Sequence, residues 1–177
     1  WVFTGWEGVE ARRKGVDLNT FLLQDYGIPY GYAPCLVAHP DTLASQPQMV
    51  RAFLKATAQG FEWAAANPIE AAVILVEGAM EENNFPLDAE MVRISQEELS
   101  ASYLDKDGKW GHMEAERWDT YLDWLSEHGL LTTFTQSRQP IDGTSATLDE
   151  LRAGKTGDLI QRESVPSSKL FTNSFLC

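Results

Sequence analysis

Cysteine is almost missing from this chain of 177 residues. Cys35 sits in an apolar run and Cys177 is the last residue, which offers neither a disulfide framework nor a C-x-x-C metal or redox pair. Basic residues are scarce too. Lys and Arg number 14 against 26 Asp and Glu, a net charge of -12, so there is no basic face to neutralise phosphate, and nucleic acid and anionic membrane surfaces are disfavoured as partners. No apolar run approaches the roughly 20 residues of a membrane-spanning helix. Histidine stands only at positions 39, 112 and 128, without metal-ligand spacing, and surface or capping roles account for all three. Neither a G-x-S-x-G elbow nor a Walker or Rossmann glycine pattern occurs. What is present is a composition 44% hydrophobic and 11% aromatic, that of a chain able to build a core.

Along the chain, "WVFTG" reads as the end of a strand, and "WEGVEARRKG" as a short helix closed by Gly15. "VDLNTFLLQD" reads as a second strand, and the turn-rich "DYGIPYG" leads to "YAPCLVAH", a third strand with proline near its start. Strands alternating with helices indicate an α/β fold with a parallel sheet. Beyond His39 the period changes to 3.6. Met49, Val50, Phe53, Leu54, Ala58 and Phe61 mark a long helix behind Pro47; Asn67 and Pro68 read as cap and first residue of the next; Asp88 caps a third. Trp118, Tyr121, Leu122 and Leu125 line a fourth, which Gly129 stops in a Schellman turn with a Leu125/Leu130 contact. "TLDELRAG" reads as a short helix with a Thr147/Glu150 capping box and a Gly154 stop, and the apolar tail "LFTNSFLC" is expected to dock. Four amphipathic helices with about three strands leave faces around Phe53, Phe61 and Leu75 without enough sheet to cover. A piece preceding Trp1, or another chain, is expected to complete the sheet, and the 177 residues alone are expected to be aggregation-prone.

The order "WVFTGWEGVEARRKGVDLN", "DYGIPYGYAPCLVAH", "QMVRAFLKATAQGFEWAAANPIEAA" and "LFTNSFL" resembles the C-terminal part of the thiamine-pyrimidine-precursor binding proteins. These are related to the taurine, alkanesulfonate and nitrate receptors of ABC importers. The resemblance implies the C-terminal portion of a two-lobed, type II periplasmic-binding-protein-like α/β fold. Residues 1–33 would end lobe II, and residues 34–177 would form the returning crossover strand, the helices of lobe I and the tail, with an expanded loop near 135–168.

It also implies a function: capture of a small aminopyrimidine and delivery to an ABC transporter permease, with no catalytic residue, metal or cofactor. Glu7 follows a strand end, where α/β folds place ligands, and its carboxylate suits an exocyclic amine. Trp6, Tyr26 and Tyr30, with Tyr32 beside them, offer flat faces for stacking. The alternative is that Glu7 favours the helix start through the dipole while Trp6 packs in the core. Two other functions remain open. The related pyrimidine synthase would carry a Cys-rich run near "YAPCLVA", where only Cys35 is found; a degenerate half could serve as a structural subunit. A receptor would be periplasmic or extracytoplasmic, and a synthase or subunit cytoplasmic or organellar.

Overall fold

The computed structural model describes residues 2–133, 135–136, 145–146, 149 and 157–176. They fall into two compact units. The first comprises Trp1–Thr20, Ala38–His112 and Ser174–Cys177, and the second Phe21–Val37 and Met113–Asn173.

Five helices build the first unit: α1 (Glu7–Arg13), α2 (Pro40–Ser45), α3 (Pro47–Ala66), α4 (Pro68–Asn83) and α5 (Ala89–Leu99). Proline opens α2, α3 and α4, where its missing N–H costs nothing. The Asp88 carboxylate accepts from Met91 N at 2.9 Å and starts α5 as its sequence foretells. Asn67 behaves otherwise than expected. Its side chain donates to Trp63 O at 2.8 Å, so it closes α3 and does not cap α4 through its side chain. α1 lies against α5, where Val9, Ala72, Met91 and Val92 form the core, with Trp6, Val76, Leu87 and Ile94 leaning on it. Each fully buried Val contributes about 1.5–3 kcal/mol. Two arginines fasten the rim: Arg12 reaches both oxygens of Glu98 at 2.5 and 2.7 Å, and Arg13 pairs with Asp88 at 2.8 Å. Arg13 and the Met91 N–H together hold the Asp88 carboxyl below the ordinary carboxylate range.

In the second unit α6 (Ala115–Glu127) is the main element. It ends as expected: Gly129, at φ 67°, donates to Ser126 O, and Leu130 N reaches back to Leu125 O at 2.8 Å. Leu122 is its buried residue. The tail docks. Phe171 stacks on Trp118 at 6.1 Å, and Asn173 exchanges two hydrogen bonds with the Met113 backbone. Arg162 joins the following segment to α6, giving hydrogen bonds to Asp119 at 2.8 Å and Asp123 at 2.5 Å.

The three strands expected before residue 40 do not form. Leu23–Tyr26 is a 3₁₀ turn. Among the described residues, ladder pairing is confined to β1 (Thr135–Gln136) with β2 (Ser145–Ala146), in parallel, and a Thr132–Leu159 bridge. A strand exists only through partners, and isolated extended segments are not stable in water. Here Val16, Leu18, Phe21, Leu36 and Val37 stay exposed, Val37 at 92%. The described fold is therefore helical. Apart from Asp149, the "TLDELRAG" helix, with Thr147, Glu150 and Gly154, lies outside the described residues. Phe61 corrects a second expectation. It needs no sheet, because it stacks on Trp110 at 5.1 Å and meets Tyr103 edge-on at 5.3 Å.

Candidate functional site

The expected ligand residues divide by unit: Trp6 and Glu7 belong to the first, Tyr26 and Tyr30 to the second. Trp6 is the N-cap residue of α1, half-buried against the core. Its neighbour Gly5 permits a close approach by α5, since a Cβ there would meet Leu99 Cδ2 at 2.6 Å, and Ser95 Oγ donates to Gly5 O at 2.5 Å. Glu7, the first residue of α1, is exposed. Its Oε2 accepts from Phe3 N at 2.9 Å, which fixes the chain entering the helix and orients the carboxylate.

In the second unit, Tyr26 is exposed and its ring lies 6.1 Å from Phe21. Tyr30, on the following loop, meets Tyr121 edge-on at 6.3 Å. Tyr32 lies 5.8 Å from Trp118 and carries the Arg117 guanidinium 4.4 Å above its ring, a cation–π arrangement. Its hydroxyl accepts from Glu114 N at 2.9 Å. Around Gly31 these rings line a cleft of about 80 Å³ with Tyr30, Ala33 and Tyr121. Sequence reasoning assigned Trp118 and Tyr121 to packing. Trp118 and Tyr121 stand at i and i+3 on α6, and this shared face is the signal that places both beside one loop.

His39 and His128 take helix-end positions, and His112 lies in the loop before α6. His39 Nδ1 accepts from Asp41 N at the start of α2, and His128 stacks on Trp124 at the end of α6. Among the described residues no group of three His, Cys, Asp or Glu side chains could hold a metal ion, and no helix is long and apolar enough to cross a membrane.

The family described as NMT1/THI5 like matches residues 1–71. A formylaminopyrimidine-binding protein of Halalkalibacterium halodurans is 30% identical over 120 residues, 68% of this chain and 36% of that relative. The aligned part thus spans about a third of the relative's length. The residues that match this family's model include Trp6, Glu7, Tyr26 and Tyr30.

Proposed function

We propose that this chain is part of a solute-binding protein that captures a small aminopyrimidine of thiamine metabolism and hands it to an ABC importer. The observation that carries the reading is the 30% identity over 120 residues to a formylaminopyrimidine-binding protein. The exposed Glu7 carboxylate is of the right chemistry for it: an acceptor-only group meets the exocyclic amine, and Oε1 can take the ligand while Oε2 holds Phe3 N. Trp6, Tyr26 and Tyr30 supply aromatic contacts. The fold proposed for the whole protein is the type II binding-protein α/β fold, with residues 1–33 ending one lobe and 34–177 serving the other. A sheet from the rest of a longer protein, or from another chain, covers the exposed Met49, Phe53 and Trp63 face of α3.

Calorimetric titration of the full-length protein with an aminopyrimidine tests the site. Glu7→Gln keeps the shape but turns half the acceptor into a donor, and affinity falls about ten- to hundredfold, the value of a charge-assisted hydrogen bond. Glu82→Gln, at an exposed position of α4, leaves affinity unchanged. Wild-type affinity in a folded Glu7→Gln protein leaves Glu7 as a helix-start residue and removes it from the site.

A further inference from the structure

Gly60 stands inside α3, where glycine weakens a helix relative to alanine. No left-handed φ requires it, and no described residue comes within 4 Å of the place a Cβ would take. Gly5 of the same unit shows what such a glycine is for, since its missing Cβ is what lets Leu99 approach. Gly60 is also the end of a row. Ala52, Ala56 and Gly60 follow at four-residue intervals, which places them on one side of the helix, and all three are exposed, as are Met49, Phe53 and Trp63 on the same side. The opposite side, with Val50, Leu54 and Phe61 half-buried, faces the unit itself. The outer side of α3 is therefore an apolar groove with large residues for walls and small ones for a floor, and no charge stands in it.

We infer that this groove seats a sheet of the same longer polypeptide, and not a second copy of this chain, and that Ala56 and Gly60 are the points of closest approach. The inference rests on the function proposed above, which makes the chain part of a longer binding protein. Area and charge choose between the two occupants. From Met49 to Trp63 the groove is about 21 Å long and about 10 Å wide, on the order of 200 Å², where a stable dimer buries about 800 Å² on each partner. Two copies, each carrying a net charge of -12, repel, and an uncharged groove offers nothing to offset this. A covalently attached cover needs far less area, because its effective concentration is already high. The relative from Halalkalibacterium halodurans, 36% covered by the alignment, carries the greater part of its length outside it.

Thiol labelling of the full-length protein tests this, in a Cys35→Ser, Cys177→Ser background. Ala56→Cys lies in the groove, and Glu62→Cys, also exposed, lies outside it. Ala56→Cys reacts with a maleimide at least about tenfold more slowly than Glu62→Cys, as a position reached only through local opening requires, and the protection is the same at every protein concentration. Gly60→Leu lowers the melting temperature by about 5 °C by crowding the cover, while Glu62→Leu changes it by less than about 2 °C. Equal labelling of the two cysteines in folded protein overturns the seat, and a Gly60→Leu protein that melts with the wild type overturns the close approach. Protection that disappears on dilution, together with the mass of a dimer, overturns the attached cover in favour of a second copy. Titration of the wild type with 4-aminopyrimidine separates this inference from the function it rests on: binding with an unprotected Ala56→Cys sinks the seat alone, and protection without binding sinks the ligand alone.

Discussion

α3 and α5 belong to the same unit and both carry an apolar stripe at helical spacing, yet their fates differ. α5 buries Met91, Val92 and Ser95. α3, nearly twice as long, buries no residue; Met49, Phe53 and Trp63 lie exposed along one side, Phe53 at 57%. The difference lies in the neighbours. α5 has α1 and α4 on its apolar face, with Ser95 tied to the backbone of Gly5 and arginines bridging the edge. Amphipathicity says that a face needs covering and nothing about what covers it. For α5 the cover comes from the same unit, from α4 beside it and from α1 far off in sequence, and for α3 the proposed function supplies it from outside.

The comparison breaks most visibly by charge. Val92 is fully buried, and Val92→Asp places a carboxylate in the core with no partner, a change that abolishes cooperative melting. A polar change on α3 has opposite effects in two settings. Phe53→Ser with Trp63→Ser leaves the secondary structure of residues 1–177 unchanged by circular dichroism and reduces their aggregation. In a longer protein whose sheet covers α3 as proposed, the pair lowers the melting temperature. Radical footprinting sharpens this point: Met49 and Trp63 label strongly in residues 1–177 and are protected in the full-length protein.

Smaller effects belong to the α1–α5 contact. Ser95→Ala leaves Gly5 O without its hydroxyl donor and costs about 1–2 kcal/mol in denaturant melts. Acid acts on the rim. The folded pKa of Asp88 lies below its unfolded value, chiefly through Arg13, so its contribution is present above the unfolded carboxylate pKa of about 4 and is lost as pH falls through the folded value. Asp119 behaves alike through Arg162. Stability therefore drops below about pH 4, and Arg13→Gln and Arg162→Gln each shrink that drop; added salt shrinks it too, most at the exposed Asp88.

What the sequence disclosed follows the range of the forces involved. Helix ends at Pro47, Pro68, Asp88 and Gly129 were legible because a cap acts within one turn of chain. The strands were not, since "YAPCLVAH" states a preference for a pleated surface and its ladder partners are not among the described residues. At the site, "WEG" was legible as a carboxylate beside an aromatic ring at a helix start. The anchoring of Glu7 by Phe3 N depends on a backbone turn that the residue types do not specify.

The central claim is recognition of an aminopyrimidine through its amine and ring. Calorimetry of the full-length protein with 4-aminopyrimidine and with pyrimidine lacking the amine tests it most directly. The account predicts saturable one-to-one binding of the first and binding about ten- to hundredfold weaker for the second, as loss of a hydrogen bond to a charged carboxylate requires. Absent binding, or equal affinity for the two rings, would contradict it.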